Sequence, residues 1–184
     1  MDRDDWKNLK RLLRYLKRTI KLTLIVRSDG VNVIKWWLDS LYAAHDDMQG
    51  HTGGTMSMGV NGRGLIISIL NNQKLNTKSY TEENPIGLDV AMPQLLYTRY
   101  FLEAQGYGID KNILYQDNMS AMLLENNGKK SSTKNTKHIN MRFYFIKCRV
   151  ETGDVVIKHY PTEEMLGDHF KNPFQGALFR KFRS

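Results

Sequence analysis

The spacing of apolar residues changes once along this chain of 184 residues, and the change restricts the folds that it can adopt. Between residues 33 and 70, three short apolar segments are separated by turn signals, which predicts a meander of three antiparallel strands. From residue 82 to 105, apolar residues instead recur at the three- and four-residue spacing of a helix. Strands and helices then alternate. This order predicts a mixed sheet flanked by helices, an α/β fold.

The predicted sheet has five strands, the first three forming the meander: residues 33–39, 53–60, 65–70, 113–116 and 155–160. The Asn61-Gly62 pair favours a hairpin between the second and third strands. The predicted helices cover residues 5–21, 82–105, 117–125, 139–151 and 161–170. We expect Pro93 to kink the second of these helices, and Thr162 to cap the last one.

The chain is expected to divide near residue 30. Residues 1–30 comprise an amphipathic helix and a short strand at 22–26, and residues 31–184 comprise the α/β domain with a basic C-terminal tail. Basic residues fill the helix surface that apolar residues leave free. That basic side could contact phosphates, although a solvated helix face is the more common role for it.

The charge balance suggests a polyanionic partner. Lys and Arg number 27 against 19 Asp and Glu, for a net charge of +8, which favours nucleic acid over an acidic membrane surface. A ribosomal protein or a basic surface that only aids solubility is the alternative. The single Cys148 cannot form an internal disulfide and fits a reduced intracellular compartment, cytoplasmic or nuclear. No apolar run is long enough to span a membrane, so no membrane partner is expected.

Four acidic residues lie where an α/β sheet usually carries its chemistry. Asp39 and Asp117 each end a predicted strand, Glu82 opens the long helix, and Asp168 lies in the last helix. Clustered carboxylates repel each other, but a pair of Mg²⁺ ions would relieve that repulsion and could hydrolyse a phosphodiester. Each acid also has an ordinary explanation: a helix cap, a turn residue, a favourable charge at a helix N-terminus, or a solvated face. Spacing alone does not decide between these interpretations.

Six segments, taken in order, resemble the ribonuclease H domain that closes the polyprotein of copia-type retrotransposons: LKRLLRYLKRTI, LDSLYAAHDDMQGHTGG, NNQKLNTKSYTEEN, ILYQDNMSAMLLENNG, TKHINMRFYFIKCRVETGDV and YPTEEMLGDHFKNPFQGALFRKF. The resemblance implies a ribonuclease H-like fold, with residues 1–30 as the connection from a polymerase domain that this chain lacks. It also implies that Asp39, Glu82, Asp117 and Asp168 hold two Mg²⁺ ions, and that Mn²⁺ can substitute for them. The implied reaction is cleavage of the RNA strand of an RNA·DNA hybrid.

Recognition of a hybrid needs contacts to 2′-hydroxyls and to phosphates. The candidate contact residues lie beside Asp117, ahead of Glu82, or in the basic loop that precedes the helix at 139–151: Asn118, Ser120, Gln73, Lys78, Lys129, Lys130, Lys134, Lys137 and His138. For His138, a phosphate contact or a hydrogen bond at the helix start is at least as good an interpretation as acid–base catalysis.

The sequence departs from the family pattern near three of the acids. After Asp39, Leu41 and Tyr42 are bulkier than the family pattern leads us to expect. Asn84 and Pro85 follow the glutamate motif, where the family has a further acid, and Asn172 interrupts the motif after Asp168. No polymerase Tyr-x-Asp-Asp motif is present. The sequence therefore resembles a truncated copy of such a retrotransposon polyprotein. A folded but inactive remnant that binds nucleic acid non-specifically is the alternative to an active ribonuclease H.

Overall fold

The computed structural model describes residues 3–23, 25–30, 32–41, 51–62, 64–72, 80–117 and 137–167. Three helices lie in these ranges: α1 (Arg3–Thr19), α2 (Tyr80–Ala104) and α3 (Lys137–Glu151). The strands are β1 (Val33–Leu41), β2 (His51–Ser57), β3 (Leu65–Asn72), β4 (Lys111–Gln116) and β5 (Val156–His159). Short 3-10 turns occupy Val60–Gly62 and Thr162–Glu164. None of the helices in these ranges is long and apolar enough to cross a bilayer.

The five strands form one mixed sheet in the order β3-β2-β1-β4-β5. β1, β2 and β3 pair antiparallel, and β4 runs parallel to both β1 and β5. The tight β2–β3 connection passes through Gly62, whose φ of 73° suits a residue without a Cβ atom. The predicted α/β fold, with a meander, two further strands and flanking helices, is therefore confirmed.

The main core lies between the sheet and α2. Alternate residues of β1 point toward α2. Apolar residues of α2 at three- and four-residue spacing pack against them. The buried side chains that form this layer are Ile34, Trp36, Leu38, Leu88, Ala91, Met92, Leu95 and Leu114. The helix is continuous through Pro93, which lies on its exposed side.

The direction of α2 determines which end of it approaches the ends of β1 and β4. Only residues 105–110 join the end of α2 to the start of β4, so these two ends lie at the same edge of the sheet. The Asn112 side chain near the start of β4 donates a hydrogen bond of 3.2 Å to the Leu95 carbonyl. Glu82 lies about 20 Å from Leu95 along the helix. Asp117 lies about 17 Å from Asn112 along the strand, in the same direction. The first turn of α2 therefore lies at the same edge as Asp117.

Two predicted elements differ from the structure. Residues 22, 23, 25 and 26 form no strand. Leu22, Ile25 and Val26 are each at least half exposed, so this run has no buried face with which to join the sheet. The predicted helix from residue 161 begins instead as the 3-10 turn Thr162–Glu164, and residues 168–170 lie outside the described residues, as do 118–125 of the helix predicted after Asp117.

Candidate active site

Asp39 and Asp117 lie at the ends of neighbouring parallel strands. The last pair in the β1–β4 register joins Trp37 to Tyr115, and each aspartate lies two residues further along its own strand. Because side chains alternate between the faces of a strand, both carboxylates belong to the face opposite α2. Neighbouring strands are about 4.8 Å apart, so the two aspartates follow adjacent strand ends at the same edge of the sheet. Asp39 is buried and Asp117 is half-buried.

Three aromatic rings lie beneath the two aspartates on this face. Trp37 stacks on Tyr115 with ring centroids 5.2 Å apart, and Tyr115 lies 4.9 Å from Tyr160. Burial raises the pKa of the Tyr115 hydroxyl. Burial also raises the pKa of Tyr160, and the nearby Glu164 carboxylate adds to the effect. Both phenols therefore stay neutral at physiological pH, so they add no negative charge beside the aspartates.

The segment that follows β5 runs from Asp117 to Asp39. Its first contacts are with the end of β4 and with Asp117. The Tyr160 backbone N–H donates to the Gln116 carbonyl at 2.7 Å, which holds the segment against the end of β4. The Thr162 hydroxyl then donates to Oδ2 of Asp117 at 3.1 Å. The prediction that Thr162 caps a helix is wrong: Pro161 occupies the N-cap position, and no side-chain cap bond forms. Thr162 instead fixes one oxygen of a carboxylate 45 residues away.

The same segment ends against Asp39. Met165 is fully buried and anchors it. A Cβ atom added to Gly167 would lie 3.1 Å from the Asp39 backbone nitrogen, 3.3 Å from the Asp39 Cβ and 3.2 Å from the Gly53 carbonyl oxygen. Only glycine permits this approach without movement of the backbone. Residues Thr162–Gly167 therefore contact both aspartates, and Asp168 is the next residue in the sequence.

The other predicted site residues are described only in part. Glu82 lies in the first turn of α2, and Lys137 and His138 begin α3, but their side chains are outside the described part of the structure. Asp168 lies outside the described residues, with the remaining candidate contacts: Gln73, Lys78, Asn118, Ser120, Lys129, Lys130 and Lys134. Among the side chains that are described, no three acids, histidines or cysteines come together as a metal-ligand group.

Sequence reasoning missed Thr162 and Gly167 as parts of this region. The signal for Thr162 was indirect: β4 and β5 are parallel, so the residues after each strand must leave the sheet at the same edge. No local pattern marks Gly167, because its close contact is with the backbone of β1 and β2.

Comparison with known proteins gives a near-full-length sequence relative. The chain is 26% identical over 180 residues to the retrovirus-related Pol polyprotein from transposon RE2 of Arabidopsis thaliana. The match covers 97% of this chain but only 12% of the polyprotein, so the chain spans about an eighth of its relative. No family model matches the sequence.

Two of the similar solved structures are ribonucleases H1. One is from the halophilic archaeon Halobacterium salinarum, with 13% identity, a TM-score of 0.46, and coverage of 71% of this chain and 86% of that one. The other was isolated from compost by a metagenomic approach, with 12% identity, a TM-score of 0.48, and coverage of 72% and 87%. This chain is therefore similar, along nearly its whole length, to a segment of a retrotransposon Pol polyprotein, and its five strands form the mixed sheet of an α/β fold.

Proposed function

We propose that this chain hydrolyses the RNA strand of an RNA·DNA hybrid with the help of two Mg²⁺ ions, and that its parent polyprotein is of the copia type. One observation carries the proposal. The segment Thr162–Gly167 contacts Asp117 at one end and Asp39 at the other, and it leads directly into Asp168. Gly167 approaches the Asp39 backbone, and the next residue in the sequence is a third carboxylate, Asp168.

The residues fit a pair of hard divalent cations. Carboxylate oxygens are the ligands that Mg²⁺ and Mn²⁺ prefer, and Asp39, Asp117 and the start of α2 with Glu82 lie at one edge of the sheet. The phenols nearby stay neutral and do not compete as anions. When bound, the two ions supply an activated water and stabilise the leaving oxygen of the phosphodiester.

The protein's own residues would position these groups. Thr162 engages Oδ2 of Asp117, which leaves Oδ1 for a cation and restricts rotation of the carboxylate. The rings of Trp37, Tyr115 and Tyr160 brace the strand ends from below. The net charge of +8 draws in the nucleic-acid backbone.

Contacts to the hybrid would come from polar and basic residues around this edge. We assign 2′-hydroxyl and base-edge contacts to Gln73, Asn118 and Ser120. Phosphate contacts fall to the basic residues of the same regions: Lys78, Lys129, Lys130, Lys134, Lys137 and His138. A polymerase domain elsewhere in the polyprotein would deliver the hybrid to this surface.

A cleavage assay tests the proposed function. The purified chain is incubated with an RNA·DNA hybrid labelled on the RNA strand, with Mg²⁺ or Mn²⁺, beside single-stranded RNA, double-stranded RNA and double-stranded DNA. We expect cleavage of the hybrid alone, lost when the metal is chelated. If the folded chain leaves the hybrid intact with either metal, it is the inactive remnant, and salt-sensitive binding of all four nucleic acids would then be its only activity.

Replacing Thr162 with Val is expected to lower the rate of hybrid cleavage up to about tenfold, because a hydrogen bond to a charged group is worth about 1.5 kcal/mol. The hydroxyl is exposed, so the melting temperature should hardly change. Thr162→Ser retains the hydroxyl and is the matched control. Single-turnover cleavage rates separate the variants, and equal rates for the Val and Ser forms would exclude a positioning role for Thr162.

A further inference from the structure

A row of residues across three strands includes a lysine beside the proposed site. The strand pairings align Trp37 of β1, Tyr115 of β4 and Lys158 of β5. Ile157, the residue before Lys158, packs against the core on the α2 side of the sheet, so Lys158 belongs to the opposite face. Asp117 lies on that same face, two residues beyond Tyr115. Lys158 is therefore one strand away from Asp117, on the face that carries both aspartates.

The strand geometry gives the separation of Lys158 from Asp117. Lys158 pairs with Tyr115 across one strand spacing of about 4.8 Å, and Asp117 lies about 6.6 Å further along β4. Together these two steps place the Cα atoms of Lys158 and Asp117 about 8 Å apart. The ammonium group of a lysine is carried on a flexible four-carbon stem. Lys158 is thus placed to contact a part of a substrate that neighbours the part bound at Asp117.

The charge of Lys158 is available to such a substrate. The side chain is exposed, and no ion pair among the described residues includes it. The phenols of Tyr115 and Tyr160 lie side by side on this face, and burial raises the pKa of each, so neither offsets the charge as an anion. Lys35 of β1 lies on the same face but is paired with Asp29.

We propose that Lys158 binds a phosphate of the hybrid within about two nucleotides of the cleaved bond, on the β5 side of the site. This inference rests on the proposed function, since it takes a hybrid at the edge with Asp39 and Asp117 as the ligand. Phosphates of one strand follow each other about every 3.4 Å along the helix axis, and Lys158 lies about 8 Å from Asp117. A phosphate contact of this kind fixes the position of the nucleic acid and reads no sequence.

Salt-dependent binding tests the contact without any need for cleavage. Fluorescence anisotropy measures binding of a labelled RNA·DNA hybrid to the full chain from about 50 to 200 mM salt, with metal chelated. All chains carry Asp117→Asn, which removes one carboxylate that would repel the hybrid. Loss of one phosphate contact lowers the slope of log affinity against log salt by about 0.9, so affinity falls about 3.5-fold less over this range. We expect this change for Lys158→Gln, and a wild-type slope for Lys158→Arg, which keeps the charge.

Lys111→Gln is the matched control. Lys111 is exposed on the same face, but it begins β4, about 20 Å along the strand from Asp117. Lys158→Gln and Lys111→Gln each remove one positive charge, so an effect of net charge alone is equal in the two chains. Lys111→Gln should keep the wild-type salt slope. Equal slopes for the two variants overturn the proposal.

A lysine on an edge strand can also serve to keep that strand from pairing with another chain, and β5 is an edge strand of this sheet. In that case Lys158→Gln would self-associate in sedimentation velocity and would bind the hybrid with the wild-type slope. That result overturns the proposal.

Cleavage by chains that retain Asp117 separates this inference from the proposed function. We expect Lys158→Gln to raise the protein concentration that gives the half-maximal single-turnover rate, and to leave the maximal rate unchanged. If the wild type leaves the hybrid intact but Lys158→Gln still lowers the salt slope, the phosphate contact stands and the proposed hydrolysis falls. If the wild type cleaves and Lys158→Gln changes neither the slope nor the half-maximal concentration, the contact falls and the hydrolysis stands.

Discussion

Replacing Asp117 with Asn is expected to reduce hybrid cleavage by at least about 10²-fold, since misplacing a reacting group by about 1 Å already costs that much. The amide keeps the size of the side chain and can still accept the hydrogen bond from Thr162. It removes the charge that a divalent cation needs. Asp39→Asn is expected to have a similar effect. Single-turnover cleavage of a labelled hybrid with Mg²⁺ measures the loss.

Thermal unfolding distinguishes loss of a metal ligand from loss of the fold. Without metal, Asp117→Asn should be at least as stable as the wild type, because the substitution removes repulsion between neighbouring carboxylates. With Mg²⁺ at a hundred times its dissociation constant, the wild type should gain about 2.7 kcal/mol and the variant much less. Asp110→Asn, an exposed aspartate before β4 at the opposite edge of the sheet, is the matched control.

Two outcomes would contradict this assignment. If Mg²⁺ stabilises Asp117→Asn as much as the wild type, the ions do not bind at this edge of the sheet. If Asp110→Asn loses cleavage to the same extent, the effect is one of overall charge rather than of the proposed site.

Replacing Gly167 with Ala is expected to destabilise the fold by about 1–3 kcal/mol, as overpacking does elsewhere. The added methyl would press on the Asp39 backbone nitrogen and on the Gly53 carbonyl, and neither belongs to a flexible side chain that could move aside. The segment must shift away from β1, so hybrid cleavage should fall about 10²-fold even below the melting temperature.

Gly108→Ala is the matched control for this substitution. Nothing lies within 4 Å of a Cβ atom at that position, so stability and cleavage should stay at wild-type values. Urea unfolding gives the free-energy difference, and cleavage rates measured where both proteins are folded give the effect on the site. Unchanged cleavage in a destabilised Gly167→Ala protein would mean that the approach of this segment to Asp39 serves stability only.

Local patterns in the sequence determined the fold class. The apolar spacing predicted five strands and the long helix, and Asn61-Gly62 predicted the β2–β3 hairpin. These features depend on residues close together in the chain. The strand predicted for residues 22–26 is wrong at residues 22, 23, 25 and 26, because an apolar run forms a strand only where a partner strand is available.

The neighbouring positions of Asp39 and Asp117 were also predictable, because a meander followed by a crossover helix leaves few arrangements for the central strands. Tertiary structure alone decided what surrounds them. The Thr162–Asp117 hydrogen bond joins residues 45 positions apart, and the approach of Gly167 to Asp39 depends on how closely two backbones pack. Burial alone distinguishes the exposed aromatic residues of α2, Tyr97, Tyr100 and Phe101, from its core residues. Such contacts join residues far apart in sequence, and no local pattern encodes their distances.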